Sequence, residues 1–259
     1  MDHAALVTGA SRGVGRGVAA SLAASGFQVF ATGRTIGRAE LPEGIIRIAC
    51  DHRKTEETDA VFREIGERAG RLDVLVNSAW GGYERMVEGG KFTWPLPFWE
   101  QPRHRWDSMM NAGVRAAFEC SARAAKMMVG ARQGLIVNIS FWAAQKYVGN
   151  AVYGMAKAAT DKMTADTARE LRDHGVTVVS MYPGLVRTEA VLAAAREGWL
   201  DLSNSESPEF VGLVIAALAR DPERMRRTGQ VLVAAGLAAE YGVEDIDGKR
   251  PRALTREEV

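Results

Sequence analysis

The sequence predicts an α/β protein built as one doubly wound parallel sheet with helices on both faces. Three observations predict it. Short apolar runs alternate with longer stretches of helical periodicity along the 259 residues. The first apolar run ends in a glycine-rich turn that opens a helix. No internal repeat breaks the alternation. A chain of this length can enclose a well-buried core. Residues 1–259 are therefore expected to form one domain, with an aromatic-rich insert at about 80–103 and a short tail from about 241.

Composition narrows the function classes. Apolar residues make up 47% and charged residues 25%, the balance of a soluble globular domain. The net charge of +1 gives no global field, and no basic stripe is present, so nucleic acid is not an expected partner. Cys50 and Cys120 are the two cysteines; they sit in apolar runs and fit free thiols in a reducing compartment. No apolar run reaches about 18 residues, so no spanning helix is expected. The chain enters its first apolar run almost at once, leaving no room for a signal peptide, and a cytoplasmic protein is expected. His3, His52, His104 and His174 are scattered, and Cys50-Asp51-His52 alone cannot complete a zinc set. No metal is expected, and the histidines read as surface groups.

Residues 4–8 read as the first strand, followed by Gly9-Ala10-Ser11-Arg12-Gly13-Val14-Gly15 and a helical pattern over 14–24. Strand, glycine turn and helix together suit an anion: glycines let the backbone approach a phosphate, and the helix N-terminus offers free N–H groups and a positive dipole end. Gly9, Ser11, Arg12, Gly13, Val14 and Gly15 are thus candidate cofactor contacts. Residues 28–32 are the second strand, ending in Gly33-Arg34. Sequences that bind NAD often place an acid near here for the ribose hydroxyl. Arg34 stands here instead, with Arg12 in the turn. Two guanidiniums suit a 2′-phosphate, so NADP(H) is favoured over NAD(H).

The next crossover is short and interrupted by Pro42, so it should be irregular. Residues 45–50 form the third strand. Asp51 and His52 follow, and both are expected to border the cofactor; the Asp51 carboxylate either accepts from an adenine amino group or caps the helix over 56–69. Residues 72–76 are the fourth strand, with Asn77-Ser78-Ala79 at its carboxyl end. The insert holds Trp80, Tyr83, Phe92, Trp94, Phe98 and Trp99 with three prolines, and fits no period of 2 or 3.6. Such a loop either lines a pocket or packs as a lid or subunit contact. A helix over 105–128, a strand over 135–140, a helix over 150–173 and a strand over 176–181 follow. Then come a mixed segment over 191–207 bearing Trp199, a helix over 208–218, a last strand over 230–233, and a charged tail expected to dock loosely.

The chemistry centres on Tyr153 and Lys157. Four residues apart on a helix, they stack on one face. A phenol of pKa about 10 is a poor acid at neutral pH; a neighbouring ammonium favours its ionised form and lowers that value. A hydroxyl from Ser140 could fix a substrate oxygen beside the phenol. Trp80, Trp94, Trp142, Tyr147 and Trp199 lie on segments near the strand ends and suggest an apolar, flat substrate.

Taken in order, these elements resemble the short-chain dehydrogenase/reductase family, over nearly the whole chain to about residue 235. Thr8 to Gly15 is similar to its TGxxxGxG turn, and Asn77-Ser78-Ala79 resembles its NNAG segment with Trp80 in place of Gly. Ser140, Tyr153 and Lys157 resemble its catalytic Ser and YxxxK. Pro183-Gly184-Leu185-Val186-Arg187-Thr188 resembles its PGxVxT stretch. The insert and tail further resemble the dehydrogenase/reductase member 1-like subgroup. The resemblance implies a Rossmann fold and an NADP-dependent oxidoreductase reducing a ketone, aldehyde or quinone. It implies catalysis by Ser140, Tyr153 and Lys157, and cofactor contacts from Asn77, Ala79, Tyr153, Lys157, Pro183, Gly184, Val186 and Thr188. A homodimer or homotetramer joined by the two long Ala- and Met-rich helices is also implied. The family's usual Asn, seven residues after a Trp-Asp pair, is replaced by Gly113; Asn111 is two residues early, about 200° away on an α-helix. Phe141 stands where a second Ser is common. Those departures motivate an alternative, a catalytically silent NADP(H)-binding sensor or scaffold.

Overall fold

A computed structural model describes residues 3–83 and 85–259. In chain order the strands are β1 Ala4–Val7, β2 Gln28–Gly33, β3 Ile46–Ala49, β4 Val74–Asn77, β5 Val87–Glu88, β6 Lys91–Phe92, β7 Gly134–Ile139, β8 Val176–Tyr182, β9 Leu185–Val186, β10 Ser205–Glu206 and β11 Val231–Val233. The helices are α1 Gly13–Ala24, α2 Thr55–Ala69, α3 Arg103–Trp106, α4 Ala116–Ala131, α5 Ala151–Leu171, α6 Glu189–Arg196, α7 Pro208–Arg220 and α8 Ala234–Tyr241. Between α3 and α4 the helix continues but widens, with Asp107–Arg115 forming a π-helix.

Seven strands form one parallel sheet in the order β11-β8-β7-β4-β1-β2-β3. The chain starts in the middle, moves outward through β2 and β3, then returns to the other side of β1. This reversal leaves a crevice between the carboxyl ends of β1 and β4, where doubly wound sheets bind ligands. The strands read as unbroken apolar runs because both faces are covered: every residue of β1, β4 and β8 is buried. On one face Val18, Leu22, Phe210, Val214 and Leu237 pack α1, α7 and α8 onto the sheet. On the other, Phe62, Ile65, Cys120, Met128 and Ala168 do the same for α2, α4 and α5.

Helices α1 and α7 touch through glycines. A Cβ on Gly17 would lie 2.2 Å from the Pro208 carbonyl carbon, and one on Gly212 would lie 2.7 Å from the Ser21 Cβ. Ser21 Oγ donates to the Glu209 carbonyl across this contact at 2.8 Å.

The order of the major elements agrees with the sequence reading, but three segments differ from it. The insert contains the antiparallel hairpin β5–β6, whose two-residue strands are too short to show a period. Helix α8 follows β11 without an intervening turn residue, so its apolar stretch reads on from the strand. The tail is not loosely docked: the Asp245 carboxylate is buried and accepts from the Ser207 N–H at 2.8 Å, the Ser207 hydroxyl and the Arg187 guanidinium at 3.0 Å. Of the charges that suggest a solvated tail, Asp245 is spent on that anchor, while Arg250–Glu244 and Arg252–Glu258 pair at the surface.

Because no side chain fits between α1 and α7, Gly17→Ala should destabilise the fold by about 1–3 kcal/mol through overpacking. Urea unfolding of parent and variant checks this; an unchanged midpoint would contradict the close helix contact.

Candidate active site

The crevice begins at Thr8. Its hydroxyl accepts from the Ser78 and Ala79 N–H groups at 3.1 and 3.0 Å, which ties the segment after β4 to the glycine turn. Gly9 has φ +68, and a Cβ there would lie 2.6 Å from the Ala79 Cα. A Cβ on Gly15 would lie 2.4 Å from the Gly9 carbonyl oxygen. Only glycine closes this turn, because backbone from three segments meets there. Ser11 Oγ is buried without a hydrogen-bond partner, in space that a Cβ on Gly33 would fill. The first free N–H of α1, from Gly13, donates to the Glu189 carboxylate at 3.2 and 3.4 Å, and Arg16 holds that carboxylate at 3.0 Å. An anion therefore already sits at the N-terminus of α1, supplied by the chain itself. An unsatisfied hydroxyl, a side-chain-free cradle and an N-terminus bearing a carboxylate fit a dinucleotide pyrophosphate. Val14 packs behind them onto the core.

Arg12 and Arg34 are both exposed at the rim of this turn. Asp51 caps no helix. The residue before α2 is Lys54, without a side-chain cap, and the Asp51 carboxylate takes the Arg53 guanidinium, which holds it down to about 2. His52 is not a surface group. It is buried with Nε2 at 2.7 Å from Thr32 Oγ1 and Nδ1 at 3.2 Å from Thr58 Oγ1, and burial pushes it down to about 4. Its imidazole braces β2 against α2 instead of facing the crevice. Asn77 donates to Asn138 at 2.8 Å and Ser121 at 2.9 Å, fixing the carboxyl ends of β4 and β7.

Tyr153 and Lys157 lie on α5, whose start is capped by Asn150 Oδ1 accepting the Tyr153 N–H at 3.0 Å. Both side chains are buried; Tyr153 is 6% exposed. Lys157 Nζ donates to the Ile139 carbonyl at 3.1 Å and lies 3.9 Å from the centre of the Trp80 ring. Burial pushes Lys157 down to about 7, with Asp161 one turn further along opposing the shift. Burial pushes the Tyr153 phenol well above its ordinary value, and its hydroxyl donating toward Tyr83 adds to this. The expected lowering of the phenol by Lys157 is thus not what this structure holds. Desolvation disfavours both charges, and this outweighs their mutual attraction.

The two departures in the motifs are one steric event. A Cβ on Gly113 would lie 2.6 Å from Trp80 Cζ3, so Trp80 occupies the room a side chain at 113 would need. Gly113 presents no open backbone to the crevice on that side, because the indole covers it.

Ser140 also departs from its expected place. Its one hydroxyl hydrogen is placed between the Lys157 carbonyl, at 3.4 Å, and the Tyr182 oxygen, while Tyr182 donates its own to Asp161. The structure does not hydrogen-bond Ser140 to the phenol. Phe141, the next residue along, turns its ring to Tyr153 at 6.4 Å. Adjacent residues at a strand end point to opposite sides, so only one of the two can face the phenol.

Of the expected pocket residues, Trp80 and Trp94 pack on Tyr153 with ring centres at 5.8 and 5.2 Å. Trp142 packs instead on Tyr182 at 5.2 Å. Tyr147 and Trp199 are 70% and 75% exposed. Tyr83, not singled out for the pocket, joins the group at 6.0 Å from Tyr153. The signal was available in Trp80-Gly81-Gly82-Tyr83: Cβ atoms at 81 and 82 would meet Ser108 and Met109, so this stretch is laid flat on the widened helix. Asp161 was legible too, eight residues after Tyr153 on the same helical face.

The stretch after β8 completes the crevice. Thr188 stands beside Gly13 and caps α6 by accepting from Val191 N at 3.4 Å. Pro183 and Gly184 lead into β9, where Val186 is buried and pairs with Glu206 of β10. Burial raises the Glu206 carboxyl to about 8, with the Gly184 N–H opposing. A surface cavity of about 410 Å³ lies at the opposite, amino-terminal edge of the sheet, lined by His3, Ser25, Asp73, Arg220 and Arg224. Phe27, Val74 and Leu135 line it along with these polar groups, and none of the crevice residues does.

Because Lys157 titrates near 7 in the folded protein and near 10.5 when exposed, the folded state is disfavoured at neutral pH and less so as pH rises. Lys157→Met should therefore be more stable than the parent at pH 7, and the gap should narrow toward about pH 10, where the free amine also loses its charge. Thermal unfolding across this range checks it; a constant gap would show that Lys157 keeps an ordinary pKa.

The short chain dehydrogenase family profile matches residues 3–197. Dehydrogenase/reductase SDR family member 1 of Mus musculus is 40% identical over 264 aligned residues, covering 94% of this chain and 83% of that protein. A 3-oxoacyl-[acyl-carrier-protein] reductase of Synechocystis sp. is 30% identical, covering 87% of this chain and 92% of its own. The solved structure of ElxO with NADP bound shares the fold, with a TM-score of 0.77 at 24% identity over 90% of this chain and 97% of that one. With the glycine turn, the buried Tyr153–Lys157 pair and these likenesses together, the chain belongs to the short-chain dehydrogenase/reductase family of oxidoreductases, in the subgroup similar to dehydrogenase/reductase SDR family member 1.

Proposed function

We propose that this protein reduces an apolar ketone, aldehyde or quinone to the alcohol with NADPH, reversibly. The observation that carries the reading is the joint burial of Tyr153 and Lys157 on one face of α5, beside the glycine turn. When bound, the dinucleotide supplies the hydride. The Ser11 hydroxyl and Gly13 N–H would hold its phosphates once Glu189 withdraws, and Thr188 would close over it with the Pro183–Val186 stretch. Asn77, Ala79 and Asp51 would border it from the strand ends.

Tyr153 gives its proton to the substrate oxygen as negative charge develops there. Lys157 supplies positive charge under the phenol when it is protonated. Ser140 acts from behind, tying the helix turn between them to Tyr182. The rings of Trp80, Tyr83, Trp94 and Phe141 around the phenol favour an apolar substrate of steroid-like or xenobiotic type, and they exclude water from the proton transfer.

Other features support the remaining expectations. Arg12 and Arg34, both exposed near the glycine turn, support the pairing of a 2′-phosphate. Phe118 on α4 and Met155 on α5 are more than half exposed, an apolar surface suited to a second copy in a homodimer or homotetramer. No helix among the described residues is long and apolar enough to cross a membrane. Buried free Cys50 and Cys120 suit a cytoplasmic setting.

Tyr153→Phe should lower turnover by about 10²–10⁴-fold while NADPH still quenches protein fluorescence on binding. Full turnover in a screen of apolar carbonyls would sink the assignment. Arg12→Ala with Arg34→Ala should weaken NADPH binding about 10–100-fold through lost charge-assisted hydrogen bonds and leave NADH nearly unaffected. Equal losses for both cofactors, measured by titration, would refute the phosphate contact.

A further inference from the structure

The proposed chemistry leaves one step open: a buried phenol that has given up its proton must regain one. The usual suppliers are absent here on three sides. Trp80 covers Lys157 Nζ and fills the space beside Gly113. Phe141 turns a ring, not a hydroxyl, toward the phenol. Ser140 is engaged by the Lys157 carbonyl and Tyr182. Tyr83 takes the fourth side. Its ring meets Tyr153 edge-on at 6.0 Å, its hydroxyl acts on the Tyr153 phenol, and it is 45% exposed. Among the described residues it is the polar side chain at the phenol that also reaches water.

Its placement is built. Trp80 stacks near it at 6.0 Å and Trp94 at 5.7 Å. Gly82, at φ +109, lies where a Cβ would come 2.8 Å from Met109 Cε, so the backbone before Tyr83 is pressed on a fully buried side chain. Asn150 ties the same insert to α5 by donating to the Trp94 carbonyl at 2.9 Å.

We propose that Tyr83 is a second catalytic phenol, relaying a proton between solvent and Tyr153. This rests on the carbonyl-reduction reading. Hydride passes from the reduced nicotinamide to the carbonyl carbon, oxidising the cofactor, and the carbonyl oxygen takes the Tyr153 proton. The Tyr153 oxygen then takes the Tyr83 proton, and Tyr83 takes one from water or a buffer acid. A phenol can donate one hydrogen bond while accepting another, so Tyr153 can face substrate and Tyr83 together. Among the described residues, the other titratable groups acting on the pair are Lys157 and Asp161 on α5 and Tyr182 on β8.

The test compares Tyr83→Phe, Tyr153→Phe and the parent, because Phe keeps the ring packing. In the cofactor-free protein, tyrosines carrying ¹³C at Cζ report hydroxyl exchange in mixed light and heavy water. The Tyr153 signal, assigned by its loss in Tyr153→Phe, should be averaged in the parent and split by slow exchange in Tyr83→Phe; identical exchange would overturn the relay. With NADPH and a reducible carbonyl, Tyr83→Phe should lose about 10-fold or more in kcat with KM little changed, and small buffer acids such as imidazolium should restore it. A normal, buffer-independent kcat beside an inactive Tyr153→Phe overturns the relay alone. An active Tyr153→Phe overturns the carbonyl-reduction reading itself.

Discussion

A lysine buried beneath an indole is the constraint on which the site depends. Lys157 has a carbonyl and the face of Trp80 for company, and little water. An aromatic face attracts a cation, but less than full hydration does. The amine is therefore held near the balance point between its charged and neutral forms. The same indole takes the volume a side chain at 113 would need, and its edge meets Tyr153. One ring thus sets the environment of the amine, the phenol and the widened helix together.

That ring stays in place because the insert is tied down by polar groups. Arg105 is fully buried and donates to the Thr93 carbonyl at 2.8 Å, the Thr93 hydroxyl at 2.9 Å and the Arg85 carbonyl at 3.1 Å. Its guanidinium also lies over Trp94 at 5.7 Å. A buried arginine whose two terminal nitrogens are both taken by loop oxygens gives a segment with little regular structure a fixed shape. Across the crevice, Asp245 does the same for the stretch after β8. It holds Arg187 beside β9 and Ser207 at the start of α7, so the tail braces the element that carries Thr188 and Glu189. Both walls of the crevice are thus positioned by single buried ionic side chains.

Glu189 gives that second wall a further role. Its carboxylate sits where the N-terminus of α1 would receive a phosphate, with Arg16 as its second partner. In the proposed function that charge would have to move before a pyrophosphate seats, and α6 is short and largely exposed, which suits such a movement.

The sequence by itself determined the fold and singled out the Tyr153–Lys157 pair. Apolar runs of strand length, the glycine turn after the first of them, and a four-residue spacing on a helix are local signals, and each follows from backbone geometry. It also exposed Trp80, Gly113 and Phe141 as departures, though not that the first two share one volume. Tertiary structure alone decided which way side chains face: Ser140 toward Tyr182 and Phe141 toward the phenol, His52 inward under β2, Asp245 into a buried anchor, Tyr83 onto Tyr153. It also decided that desolvation outweighs the attraction between Tyr153 and Lys157. The reason is physical. Spacing fixes neighbours along one element, whereas burial, charge balance and the use of a shared volume depend on what other elements bring to the same point.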